Sequence, residues 1–522
     1  MVPVIAAVVL AALPLAQIAS CGSSPPSCPL GPGLESAEIV NTPPTWPYQK
    51  FKSSPFTPPQ FRITTNGQPL APGLLFITPS EQTPEVATSD VAPLIMTDAG
   101  QLVFNGPIVN ATNFRHAVYK GKNILTYWSG ISTAGANIGH GYGNVTFLDT
   151  SYNEILTVCP KLGLVTPDNT EYSCEADLHE SFTTDGDTII VSAYNATQTD
   201  LTSVGGPKDG WIFDCLFFEI EPETGKILFQ WSAIEHVPVT ASQQPLAGTG
   251  LNQSVPWDWF HINSIVNIGD EYLVNSRHTW TTFLLTSQGE IIWQIQGNTG
   301  GDFGPLPENG HFRWQHHASP HNITKDSITL SYFNNYNSAI DNGTNQTTGL
   351  ELLLSLPPKK SVSPIVLKDL ADPNEAIFAE SQGSAEILPN GNTIMNYGQI
   401  AILKEYGPNS NSDVRWTAQF AGPNLVQSYR GFKHVWHATP TTCPDLVVEN
   451  NGTCGAGYVS WNGATDVTAW AVYEGPTNNQ LSFVGNVGYR GFETAFTVGG
   501  ECVQVAAVID GKECERSNVA CI

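Results

Sequence analysis

From about residue 100 to residue 495 the chain is a succession of short runs in which apolar and polar residues alternate, interrupted by turns rich in Gly, Asn and Asp. A period of two puts every second side chain on one face, which predicts half-buried β-strands. One unit recurs. A polar residue, often His, opens a strand, a tight turn follows, and a second apolar strand ends in small or polar residues. The copies begin at His116, His179, His261, His316, Ser384 and His437, with turns such as Lys120-Gly121, Asp185-Gly186, Gly269-Asp270 and Asn390-Gly391. Between them lie a second turn and a strand ending near Trp, as in Thr224-Gly225 to Trp231 and Gln288-Gly289 to Trp293. Six copies of a roughly four-stranded unit predict an all-β chain folded as a six-bladed β-propeller. Spacings of this length are too long for solenoid coils. In such a fold the first strand of each blade lines the axis, so five of six blades are expected to aim an imidazole at one central funnel.

Ahead of the repeats, residues 25–93 hold fifteen of the 38 prolines, with candidate strands at 59–63 and 73–77. The expected organisation is a signal peptide at 1–20, an extended Pro-rich arm with short strands at 21–100, the propeller at 101–495, and a Cys-rich segment at 496–522. The first twenty residues carry an uncharged apolar run followed by small residues, the form of a cleaved secretory signal. No later run is long and apolar enough to predict a membrane span. Ten cysteines without a CxxC pair then read as disulfides. Cys159–Cys174 and Cys443–Cys454 are plausible bridges, and one of Cys502, Cys514 and Cys521 is a candidate to tie back to Cys21 or Cys28. Eight N-x-S/T sequons, at Asn110, Asn144, Asn195, Asn252, Asn322, Asn342, Asn345 and Asn451, suit a glycosylated secreted product.

A net charge of −25, with 22 basic residues against 47 acidic ones, argues against a nucleic-acid or anionic-membrane partner. No pattern sets an oligomeric state. The chemistry is expected at the histidines. Trp257-Asp258-Trp259-Phe260 leads into His261, Arg277-His278-Thr279-Trp280 closes the same hairpin, Arg313-Trp314-Gln315 leads into His316-His317, and His434-Val435-Trp436 leads into His437. Imidazoles act as acids, bases or nucleophiles near neutral pH. A guanidinium grips an anionic oxygen, and Trp supplies flat apolar walls. The candidates are therefore His179, His261, Arg277 and His316 for catalysis, and Trp259, Trp280, Trp314, His317 and His437 for binding a small aromatic substrate. Trp231 and Trp293 read as blade packing. Gly139-His140-Gly141-Tyr142-Gly143 reads as a loop. HExxH and GxSxG are absent, and Pro320 separates His317 from His321, so no metal or other cofactor is expected.

Trp128-Ser129-Gly130, the 139–143 glycines, Asp177-Leu178-His179-Glu180, Phe260-His261-Ile262-Asn263-Ser264, Ser276-Arg277-His278, Gln315-His316 and Leu388-Pro389-Asn390-Gly391-Asn392 together resemble the arylsulfotransferase-like proteins of filamentous fungi, over roughly residues 100–440. The resemblance implies a six-bladed propeller and sulfuryl transfer through a histidine nucleophile, here His316, aided by His179, His261 and Arg277. The family pattern continues Gln-His with Asp-Ala-Arg, where this chain has His317-Ala318-Ser319. It also carries Phe after His-Glu, Gly-Gly after Ile-Ile-Trp and Phe-Asp-Asn, where this chain has Ser181, Gln296-Gly297 and Phe333-Asn334-Asn335. Some fungal members of this branch are associated with hetero-Diels–Alder closures in tropolone meroterpenoid pathways. Three readings follow. The favoured one is a secreted secondary-metabolism cyclase that expels water from a phenol or tropolone and captures the quinone methide, with His179, His261 and His316 as acid–base groups and Arg277 on the oxygen. The others are an aryl sulfotransferase with His316 as covalent carrier, and a non-catalytic binding propeller.

Overall fold

A computed structural model describes residues 38–40, 46–81, 91–133, 139–340, 345–422, 425–450 and 455–522. The expected signal peptide, Cys21, Cys28, Cys454 and the sequons at Asn342 and Asn451 lie outside the described residues. The described chain divides into two compact units, one of residues 37–442 with 462–465, the other containing 443–461 and 466–522.

The larger unit is the propeller. Its first sheet comprises Ala111–Tyr119, Lys122–Thr133, His140–Leu148 and Glu154–Val158, and its second Ser181–Thr183, Ile189–Thr199, Gly210–Glu221 and Lys226–Ser232. The third comprises Ile262–Ile268, Glu271–Ser276, Thr281–Leu285 and Ile291–Gln296, and the fourth His316–His321, Ser327–Asn334, Thr348–Ser355 and Ile365–Leu370. Two-residue loops join the first two strands of the first and third sheets, at the turns read at Lys120-Gly121 and Gly269-Asp270. Lys120 and Gly121 both have positive φ, as the favoured hairpin turn demands. Apolar faces of successive sheets enclose the core. One cluster runs from Ile190 and Phe217 to Ile262 and Phe283, the next from Leu273 and Trp293 to Leu330 and Leu352. Trp231 and Trp293 pack between blades, as read. Trp231 Nε1 donates to Gly289 O of the following sheet at 3.1 Å, and a Cβ on Gly289 would meet that indole at 2.9 Å.

The fifth and sixth sheets depart from the sequence reading. The fifth adds Arg62–Thr65 to Ser384–Ile387, Thr393–Asn396, Ile402–Tyr406 and Val414–Gln419. The sixth pairs Val426–His434 with Leu74–Glu81, Leu94–Met96 and Leu102–Asn105. Much of the supposed arm is thus blade. The sixth copy of the repeat begins at Val426 and takes its other strands from the N-terminal side of the chain, not from residues after His437. Strand pairing with a distant segment leaves no mark in local periodicity. Gly139–Gly143 is likewise mostly strand. Cβ atoms on Gly141 and Gly143 would stand 2.8 and 2.7 Å from the Trp128 ring, so glycine here makes room for that indole rather than for a loop.

The smaller unit holds a sheet of Asp445–Asn450, Gly455–Ser460 and Glu493–Val498, and a second built on Ala469–Gly475, Ser482–Gly488, Cys502–Ile509 and Lys512–Arg516. Residues 445–461 and 466–495, assigned to the propeller by sequence, belong here. Cys159–Cys174 is formed as expected, whereas Cys502 pairs with Cys521 instead of an N-terminal cysteine. Among the described residues no helix is long and apolar enough to cross a membrane.

Candidate active site

The first strands of four sheets carry β-bulges at corresponding places, between Thr112 and Arg115, Ile262 and Ser264, His316 and Ser319, and Ser428 and Gly431. A bulge inserts unpaired residues and re-aims their side chains. Here it sends neighbouring residues into two different cavities. His316 enters one of about 200 Å³, together with His179, His261, Arg277 and Tyr429. His317, at φ +50°, enters another of about 460 Å³ with Arg115, His116 and His434. The funnel of five imidazoles is therefore corrected. Three of the recurrent histidines share one cavity, His116 and His317 face the other, and His437 is exposed beyond the end of its strand.

Each side chain in the smaller cavity is held from behind. His316 Nδ1 lies 2.7 Å from Asn335 Oδ1, while Asn335 Nδ2 donates to Ala379 O and Gln382 O. Those two carbonyls fix the amide with its oxygen toward the ring, so Nδ1 carries the proton. Nε2 keeps its lone pair and accepts from Gln382 N–H at 3.2 Å. Burial, then the Arg277 charge, holds His316 well below the imidazole range, so it is neutral at pH 7. His179 Nδ1 lies 2.6 Å from Asp177 Oδ1, and His261 Nδ1 2.6 Å from Asp258 Oδ2. Asp177 also accepts from Gly141 N–H and Ser192 Oγ. Burial pushes both carboxyls up, but the adjoining imidazoles outweigh it and hold Asp177 below and Asp258 well below the usual range.

Arg277 is buried and has no carboxylate within ion-pair distance among the described residues. Nη2 donates to Glu380 O at 2.9 Å, Nη1 lies 2.6 Å from His278 Nε2, and Nε has no hydrogen-bond partner. Burial pulls its pKa down to about 10, which leaves it a cation at pH 7. Tyr429 brings a buried hydroxyl with no hydrogen-bond partner to the same space.

The three tryptophans expected as substrate walls are not walls. Trp259 and Trp314 are fully buried, Trp280 nearly so, and none lines the cavity. Trp314 lies under the Arg277 guanidinium at 5.2 Å and meets Trp280 edge-on at 5.3 Å, so these rings support the cation. The aromatic walls stand elsewhere. A slot of about 240 Å³ is lined by Tyr142, Tyr172, Phe213 and Trp257, with His140 and Asp258 in its lining. Tyr142 and Tyr172 stack at 3.9 Å. The His140 ring is 5.6 Å from those of His179 and His261, which places the slot beside the histidine cavity. Sequence reasoning missed His140, Asp177, Asp258, Asn335 and Tyr429 as site residues. An Asp two or three places before a His was the one visible signal.

Fold and site define a β-propeller with a histidine-lined cavity. The sequence model of the arylsulfotransferase (ASST) family matches residues 115–421, and the chain belongs to this family. Among curated proteins none matches significantly. Solved structures that resemble it include the GH43 protein BlXynB of Bacillus licheniformis, with 9% identity over 88% of this chain and 91% of that one and a TM-score of 0.29. The Bombyx mori GH32 β-fructofuranosidase has 10% identity over 80% and 88%, with a TM-score of 0.26. Such scores carry no functional weight.

Proposed function

We propose that the protein transfers a sulfuryl group between small phenols, with His316 as the covalent carrier. The observation that carries this reading is the pairing of a neutral, tautomer-fixed imidazole with a buried guanidinium that lacks a carboxylate partner, in one small cavity. The Nε2 lone pair, released from the Gln382 N–H, attacks sulfur, the S–O(aryl) bond breaks, and the phenolate leaves with the electron pair. Arg277 and the Gln382 N–H face the sulfuryl oxygens. The acceptor phenol gives its proton to the cavity's carboxylate-held imidazoles, His179 or His261. Its oxygen then takes the sulfuryl group and the N–S bond breaks. Incubation with an aryl sulfate should add one sulfuryl mass to the intact protein, mapped to His316. An unmodified mass under turnover conditions rejects the reading.

Two of the departures from the family pattern lie apart from His316. His317 and Ser319 line the larger cavity, away from His316. Asn335, which orients the nucleophile, is retained. The cyclase reading is second. The two carboxylate-held imidazoles beside an aromatic slot favour it, because they could move a proton for dehydration and hold a flat heterodiene. Under both readings Tyr172 is a wall for the aromatic reactant. Tyr172→Ala is expected to raise KM for a phenol roughly tenfold, with kcat and the unfolding midpoint little changed, because lost apolar contact weakens ground and transition states alike. Steady-state kinetics checks it.

We further propose export, supported by the apolar first twenty residues, two disulfides among the described residues, and sequons at the exposed Asn252, Asn322 and Asn345. Asn110 fits a glycan poorly, since it lines the cavity and donates to Ser132. Protein recovered from culture medium is expected to begin near Cys21. Retention of Met1 would contradict export by a cleaved signal.

A further inference from the structure

We propose that His140, His179 and His261 form a binding site for a divalent transition-metal ion of the zinc type. The rings come from three separate segments, and one nitrogen of each lies within 4.8 Å of the others. All three are buried. Asp177 and Asp258 accept hydrogen bonds from Nδ1 of His179 and of His261. A carboxylate can only accept, so in the neutral ring Nε2 is the nitrogen that carries the lone pair. A carboxylate behind the imidazole is how histidine ligands are oriented at zinc sites. His140 makes the third donor. Both its nitrogens are buried without a hydrogen bond, and Nε2 approaches Asp258 Oδ2 only to 3.3 Å. Asp258 stands behind two of the three rings, and with Asp177 it sets two negative charges against a dication.

The donor set names the ion. Imidazole nitrogens suit zinc, cobalt, nickel and copper, whereas magnesium and calcium require oxygen. Three protein ligands leave a position open, the pattern of reactive rather than structural zinc sites. The alternative grouping of Asp258, His261 and His278 is less apt. His278 Nδ1 already donates to Asp258 O, and its Nε2 faces Arg277 Nη1 at 2.6 Å. The site borders the aromatic slot through His140 and the sulfuryl cavity through His179 and His261. An ion there would take the phenol oxygen as its remaining ligand and acidify that hydroxyl, replacing the imidazole base. The inference does not rest on the sulfuryl-transfer reading, because His316 is outside the donor set.

The test uses the full-length protein, freed of metal with a chelator, dialysed and titrated with Co²⁺. The expected result is one ion per chain, with visible absorption bands of the intensity that four- or five-coordinate cobalt gives, displaced by Zn²⁺. Asp177→Asn should weaken uptake about 10–100-fold, and His140→Phe should remove it at an unchanged circular dichroism spectrum. Should His140→Phe fail to fold, the wild-type protein still decides. Bound Co²⁺ must shield His140, His179 and His261, but not the exposed His437, from diethyl pyrocarbonate in peptide maps. No stoichiometric Co²⁺, or uptake unaltered in folded His140→Phe, or no shielding, overturns the proposal. His316→Ala should keep full Co²⁺ uptake while losing the sulfated adduct, so either reading can fail without the other.

Discussion

His316→Ala is expected to lower aryl sulfuryl transfer on the order of 10⁴-fold or more and to abolish the sulfated adduct, with the unfolding midpoint little changed. Losing the nucleophile removes the covalent route as a whole, so adding His261→Ala should cost little further, because residues that act as a unit are not additive. Asn335→Leu should give a partial loss, since it frees the tautomer that presents the Nε2 lone pair. The pH profile has a definite sign. Protonation of His316 destroys the nucleophile, and burial and Arg277 depress its pKa from the ordinary 6.5. The acid limb that His316 sets in kcat/KM therefore falls below pH 6.5. Arg277→Met should move that limb upward, because a nearby positive charge no longer opposes protonation. Rapid-quench kinetics with intact-mass readout checks the first result, and a pH series the second. Full activity in His316→Ala would remove the covalent mechanism.

The largest stability effect is expected at Glu180. Its carboxylate is buried between two arginines, with Oε1 3.1 Å from Arg115 Nη2 and both oxygens 3.1 Å from Arg430 Nη1. Arg430 Nη2 also donates to Asn263 O at 2.6 Å, and Arg115 to Ser181 O. The network joins the first, second, third and sixth sheets. Glu180→Ala leaves the buried Arg430 and the partly buried Arg115 without their counter-charge, a loss of about 3–5 kcal/mol. Glu180→Gln restores the shape but not the charge and should recover only a small part. Urea unfolding followed by tryptophan fluorescence measures both, and a midpoint equal to wild type in Glu180→Ala would refute the assignment. The His179-Glu180 dipeptide thus has two separate tasks, the imidazole in the small cavity and the carboxylate in the ion network.

Several features of the site were legible in the chain because they are local. His179, His261 and His316 open first strands or stand just before them, and Arg277 closes a hairpin that His261 begins. Such positions follow from alternation and turn residues alone. Other features were not. Trp259, Trp280 and Trp314 sit next to site residues in sequence, yet alternation and left-handed backbone at Trp280 and Trp314 turn them into the core. His140 was hidden because its strand carries glycines that accommodate Trp128, and glycines usually mark turns. Asn335 supports His316 from nineteen residues away.

The sequence by itself determined an all-β propeller of six repeating units, read Trp231 and Trp293 as blade packing, offered Cys159–Cys174 as one of several possible bridges, and brought out three of the recurrent histidines as candidates at one centre. These depend on period, spacing and turn chemistry, which act over a few residues. Only the tertiary structure decided that the chain's N-terminal side completes the fifth and sixth sheets, that His316 and His317 part into different cavities, and that Tyr142, Tyr172, Phe213 and Trp257 line one slot. Strand pairing across hundreds of residues, and a bulge that shifts register by a residue or two, choose which face a side chain takes, and neither changes the pattern of apolar and polar residues from which a sequence is read.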